Sequence, residues 1–135
     1  MKTAIFPGSF DPFHEGHEAI IKQALKEFDL IYLIISWSET KSQRHHSFEA
    51  TKTYLETKFA SWSQIQVLIN KKELTVRVAK QLNCFNLIRG YRNWNDLHYE
   101  HFLARAYLEA MPQIKIYYYH DKKIKHLSST FLKQK

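Results

Sequence analysis

The side chains best placed for chemistry are cations, imidazoles and hydroxyls set beside small residues, and none forms a nucleophile–base pair. The first group lies in Pro7-Gly8-Ser9-Phe10-Asp11-Pro12-Phe13-His14-Glu15-Gly16-His17. Ser9 offers a hydroxyl at a turn, and Gly16, lacking a Cβ, admits a close approach. His14 and His17 share a face if a helix begins near His14. A helix N-terminus disfavours imidazolium, so a neutral imidazole donating one hydrogen bond to a phosphoryl oxygen fits there. The same histidines could instead cap and pack, or ligate a metal with Asp11, although no third strong ligand follows at helical spacing. The second group, Arg89-Gly90-Tyr91-Arg92, sets two forked guanidiniums around a glycine, which suits phosphate recognition or a solvated surface. The third, Ser128-Ser129-Thr130, reads as an anion-binding helix start or a plain N-cap. Lys41, in a polar loop, either reaches into a cleft to neutralise phosphate or stays in solvent. Glu100 either accepts from a sugar or an amine or is solvated. Cys84 reads as a small core residue, and Trp37, Trp62 and Trp94 as packing or rim residues.

These groups need a scaffold that brings them to one edge, and the hydrophobic pattern supplies it. Thr3–Phe6 reads as a strand and 18–28 as a helix, with Ala19, Ile20, Ala24, Leu25 and Phe28 at helical spacing. Leu30–Ile35 is a continuous apolar run, as in a strand buried on both faces of a parallel sheet. A polar loop over 36–46 precedes a helix over 48–59, capped by Ser47. Strands follow at 64–69, 85–88 and 114–119, separated by helices over 73–81 and 96–110, the latter capped by Asn95. A short helix opens at Ser128. This alternation predicts a single doubly wound, Rossmann-like α/β domain over 1–135, with a five-stranded, mainly parallel sheet. Every polar cluster then falls at the carboxyl end of a strand, where such sheets bind ligands.

Composition narrows the class. With 44% hydrophobic residues, 135 residues suit one compact core. No apolar run approaches the ~20 residues that span a bilayer, and Pro7, Asp11 and His14 arrive too early for a signal core. A single cysteine excludes an internal disulfide framework and fits the cytoplasm. The net charge of +7 favours anionic partners. No RNA-recognition or zinc-finger spacing supports a nucleic-acid module.

The first segment, with His14-x-Gly16-His17, resembles the (H/T)xGH motif of the nucleotidyltransferase superfamily, and Ser128-Ser129-Thr130 resembles its ISST-like second signature. Ile88-Arg89-Gly90-Tyr91-Arg92 followed by Asp96-Leu97-His98-Tyr99-Glu100 is similar to the phosphopantetheine adenylyltransferase family in particular. The resemblance implies transfer of the adenylyl group of ATP, with Mg2+, to 4′-phosphopantetheine, giving dephospho-coenzyme A and pyrophosphate. It implies that Ser9 binds phosphate of both substrates, with Phe10 beside it on ATP. His17 would stabilise the transition state and Lys41 would contact the acceptor phosphate and the transferring group. Thr75 and Arg89 would bind the acceptor; Gly90, Tyr91, Arg92, Glu100, Ser128, Ser129 and Thr130 would bind ATP. It also implies a homo-oligomer, a hexamer in the family. His14 stands where this family often has threonine. Histidine there is commoner in relatives that adenylylate nicotinate mononucleotide or transfer cytidylyl groups, the alternative acceptor class.

Overall fold

The computed structural model describes residues 1–37 and 44–121. In chain order it has β1 (Thr3–Gly8), α1 (Glu15–Ala24), β2 (Leu30–Ser36), α2 (Phe48–Lys58), β3 (Ile65–Asn70), α3 (Thr75–Leu82), β4 (Asn86–Tyr91), α4 (Trp94–Ala110) and β5 (Lys115–His120). The strands form one sheet in the order β3-β2-β1-β4-β5, and every neighbouring pair is parallel. The doubly wound α/β expectation therefore holds. The order reverses at β1, which has β2 on one side and β4 on the other, so the crevice beyond β1 and β4 is the topological switch point.

Strand alternation feeds two cores, one on each face. Phe6, Ile31, Leu33, Ile35 and Ile88 face α1 and α2, meeting Ile20, Ile21, Ala24, Leu55 and Phe59. Ile5, Ile34, Leu87, Ile116 and Tyr118 face α3 and α4, meeting Val78, Ala79 and Leu97. Side chains one residue apart point to opposite faces, so a strand such as β2 must be apolar on both. At the amino ends, Asn86 Nδ2 donates to the Thr3 carbonyl at 2.8 Å and ties β4 to β1. At the carboxyl ends, Gln23 Nε2 donates to the His120 carbonyl at 2.7 Å and ties α1 to β5.

Among the boundaries that differ from the sequence reading, those of three elements matter most here. α1 starts at Glu15, not at residue 18, because His14 caps it, and it ends at Ala24. α4 is capped by Asn93 rather than Asn95: the Asn93 side chain accepts from Asp96 N at 2.9 Å. β4 runs on to Tyr91, so Arg89 and Gly90 are strand residues. The predicted helix at Ser128 lies outside the described residues.

Gly90 is where β4 passes α1. A Cβ there would sit 2.3 Å from Ile20 Cδ1, inside a core where Ile20 is 4% exposed. Gly90→Ala is therefore expected to lower unfolding free energy by about 1–3 kcal/mol, the usual cost of overpacking. Ile20→Val removes the offending methyl, so adding it to Gly90→Ala should recover part of that loss. A urea-denaturation double-mutant cycle reads the coupling, and strictly additive losses would contradict the contact.

Candidate active site

A cavity of about 340 Å3 opens at the switch point, lined from β1 and α1 by Gly8, Phe10, His14, Gly16 and His17 and from β4 onward by Arg89, Gly90, Arg92, Asp96 and Asp121. Its α1 wall is built by helix capping. The first N–H groups of a helix have no intrahelical acceptor. Here the Gly16 N–H donates to His14 Nδ1 at 3.0 Å, and the His14 N–H donates to His17 Nδ1 at 3.1 Å. A backbone N–H can only donate, so both Nδ1 atoms are acceptors. In the neutral rings the proton then sits on Nε2. The two rings stack at 3.8 Å between centroids, and Phe10 meets the His17 ring edge-on at 5.0 Å. Gly16 is required sterically, since a Cβ there would lie 2.9 Å from His14 Cε1 and 3.2 Å from Asp121 Cβ.

This geometry separates readings that spacing left open. Both histidines cap the helix, and His17 also lines the cavity. These bonds speak against metal binding by His14, His17 and Asp11 together. Both Nδ1 atoms are occupied by amides, and the Asp11 carboxylate accepts from His45 N at 2.6 Å and His46 N at 3.0 Å. His14 does here what a threonine N-cap does, accepting from the first turn. Its identity therefore says little about the acceptor.

On the opposite wall, Arg89 leans from β4 onto α4, donating from Nε and Nη2 to the two Glu100 oxygens at 2.8 and 2.9 Å. Glu100 is 7% exposed. Burial opposes the Arg89 charge, but the Glu100 hydrogen bonds and charge more than offset it, so Arg89 stays cationic. Tyr118 donates its hydroxyl to the Glu100 carbonyl at 3.1 Å, and burial with the nearby Glu100 charge pushes that phenol up to about 12. Glu100 thus spends its carboxylate on Arg89 and does not line the cavity. Arg92 is exposed and pairs with Asp96 at 2.9 Å. The Tyr91 side chain lies in the α3–α4 core, its hydroxyl buried and without a hydrogen-bond partner among the described residues.

Ser9 sits between the lining residues Gly8 and Phe10, and Thr75, the first residue of α3, does not line this cavity. Lys41, Ser128, Ser129 and Thr130 lie outside the described residues. Sequence reasoning missed the roles of two groups. Asp11, 2% exposed, anchors residues 45–46, and Arg44 donates to the Ser9 carbonyl at 3.0 Å. An acidic and a basic residue far apart in sequence carry no local periodic signal.

A cytidylyltransferase-like family model matches residues 5–135. The chain is 36% identical over 135 residues to a phosphopantetheine adenylyltransferase of Mycoplasma mycoides subsp. mycoides, covering 99% of this chain and 96% of that one. It is 34% identical over 132 residues to the enzyme of the same name from Malacoplasma penetrans, covering 95% and 85%. Among solved structures, a lipopolysaccharide core biosynthesis protein from Thermoplasma volcanium superposes with a TM-score of 0.66 at 12% identity, over 93% of this chain and 99% of that one. A bifunctional NMN adenylyltransferase/ADP ribose pyrophosphatase from Francisella tularensis gives a TM-score of 0.56 at 19% identity, over 98% of this chain and 40% of that one. At these identities the structural likeness speaks for the fold.

Two outcomes test the site's electrostatics. Burial alone raises the Asp11 carboxyl, but the His46 ring, the N–H groups of His45 and His46 and the Arg44 charge outweigh it and hold it at about 2. A carboxyl depressed on folding stabilises above its unfolded pKa and loses that contribution as pH falls toward the folded value. Wild-type stability should therefore drop between pH about 4 and about 2, and Asp11→Asn should flatten that part of a urea-midpoint titration. Glu100→Ala leaves Arg89 unpaired and should cost about 3 kcal/mol. Arg92→Ala, at an exposed pair, should leave the midpoint of the same denaturation series nearly unchanged.

Proposed function

The chain belongs to the phosphopantetheine adenylyltransferase family of the cytidylyltransferase-like group, and from that premise we infer that it transfers the adenylyl group of ATP to 4′-phosphopantetheine, releasing pyrophosphate and dephospho-coenzyme A. The observation that carries this reading is full-length identity combined with the His17 tautomer. The reaction needs positioning and charge stabilisation more than a covalent group. His17, with Nδ1 occupied by the His14 amide, presents Nε2–H as a donor. It would stabilise the charge that builds on the transferring phosphoryl group. Ser9 and Phe10, at the turn before α1, contribute phosphate contacts, and Gly90 lets the nucleotide approach the sheet. Tyr91 contributes through its backbone, since its ring is buried in the α3–α4 core. Arg89 holds the acceptor phosphate, and Glu100 acts through Arg89 rather than on ATP. Arg92 is the exposed cation for the triphosphate. Thr75 and Lys41 remain assigned to the acceptor side, with Lys41 also contacting the transferring group, and Ser128, Ser129 and Thr130 to ATP.

Mg2+ enters with ATP, whose charge it neutralises. A cation of this kind is commonly bound largely by substrate phosphates and water. Asp121 Oδ1, buried, without a hydrogen-bond partner among the described residues and 3.7 Å from His120 Nδ1, is a cavity oxygen suited to hold that cation or one of its waters. The unpaired Cys84 supports a cytoplasmic setting, and among the described residues no helix is long and apolar enough to cross a membrane. Trp94, Tyr99, Phe102 and Leu108 are exposed on α4, whose other face is already in the core. Their exposure supports self-association.

The deciding assay is pyrophosphate release from Mg-ATP with phosphopantetheine, run beside nicotinate mononucleotide. Turnover is expected with the first acceptor, and turnover only with the second would move the chain to the other acceptor class. In the active assay His17→Ala should lower kcat by about 100-fold or more while ATP still binds. An unchanged kcat would leave His17 as a cap alone.

A further inference from the structure

Arg44 has no part in the transfer as described, yet its guanidinium is spent in three directions. Nη1 donates to the Ser9 carbonyl at 3.0 Å, Nη2 to Thr51 Oγ1 at 2.9 Å and Nε to the His46 carbonyl at 2.8 Å. Its plane lies 4.5 Å from the centre of the Phe48 ring. One side chain thus joins the β1–α1 turn to the start of α2. Asp11 closes the junction from the other side through its bonds to residues 45 and 46. Between Ser9 and Asp11, Phe10 has φ of 48°, in the left-handed region that few non-glycine residues occupy.

Peptide geometry turns this clamp into a statement about donors. The Ser9–Phe10 peptide is trans, so the Ser9 carbonyl and the Phe10 N–H point in opposite directions. With the carbonyl drawn to Arg44, the Phe10 N–H turns away from Arg44. A left-handed residue in such a turn is a known way to present backbone N–H groups to an anion. Phe10 lines the cavity, and its ring supports His17 edge-on.

We propose that Arg44 is a positioning residue for the transfer: by holding the Ser9 carbonyl it orients the Phe10 N–H as a phosphate donor and seats the Phe10 ring that supports His17. Arg44 touches neither substrate. The inference rests on the adenylyl-transfer reading. Its rival is a purely structural role, in which Arg44 only fastens α2 to the sheet.

The test compares wild type, Arg44→Ala and Arg44→Lys by pyrophosphate release from Mg-ATP and phosphopantetheine, alongside thermal melting. Each is assayed with and without millimolar guanidinium chloride, far below denaturing levels. Arg44→Ala should lower kcat by about 10- to 100-fold, as misplacement of a donor does. The ATP KM should rise alongside, because Phe10 also contacts ATP in the ground state, whereas the acceptor KM should move by less than about threefold. Added guanidinium should restore part of kcat, and Arg44→Lys should fall between, since an ammonium cannot reproduce the planar fork. An unchanged kcat in Arg44→Ala overturns the proposal, as does a loss without guanidinium rescue in protein that still melts cooperatively. If Arg44→Ala does not fold, Arg44→Lys decides, and a wild-type kcat there overturns it. A wild type that releases no pyrophosphate overturns the transfer reading and this inference with it. An active wild type with undiminished variants overturns this inference alone.

Discussion

A helix that starts at a ligand cavity must dispose of its first N–H groups, and the way α1 does so governs the rest of this site. Two of those groups go to imidazole nitrogens of His14 and His17. Because the donors are backbone amides, the acceptors have no choice of role, and each neutral ring carries its proton on Nε2. Under the proposed transfer, capping and charge stabilisation would therefore be one arrangement. The bond that closes the helix end also prepares His17 to donate, and the stacked His14 ring holds its plane. Gly16 permits this packing, since any Cβ there would strike the His14 ring.

Buried charge is the second theme. The chain is basic overall, at +7, but several groups that flank the cavity are charges taken out of water and compensated. Arg89 and Glu100 share two short bonds across β4 and α4, and Asp11 receives N–H groups from residues 45 and 46. Leaving any of these unpaired would be costly, so each fixes geometry. The compensated charges sit on two sides of the cavity: one pair joins β4 to α4, the other contacts join the first turn to α2. The exposed Arg92–Asp96 pair obeys different physics, being screened by solvent.

The positions of five strands and four helices were legible because apolar spacing follows directly from which faces are buried. Ser47 as the α2 cap was legible for a similarly local reason. Helix starts were less so. The sequence reading puts the α4 cap at Asn95, whereas the side chain that accepts from Asp96 N is that of Asn93. His14 reads from the sequence as a functional group or a cap, and the backbone path shows that it caps α1.

From the residues alone came the chemistry: imidazoles and guanidiniums beside glycines at strand ends, without a nucleophile and its base, specify charge stabilisation at a phosphate. These properties are local, so the linear order carries them. Tertiary structure decided which partner each group answers to. Glu100 faces Arg89 because β4 and α4 pack with that register. Arg44 meets Ser9 across 35 positions because β1 and β2 lie side by side and bring the start of α2 over the first turn. Contacts of that kind depend on how the elements pack in space, and no spacing along the chain encodes them.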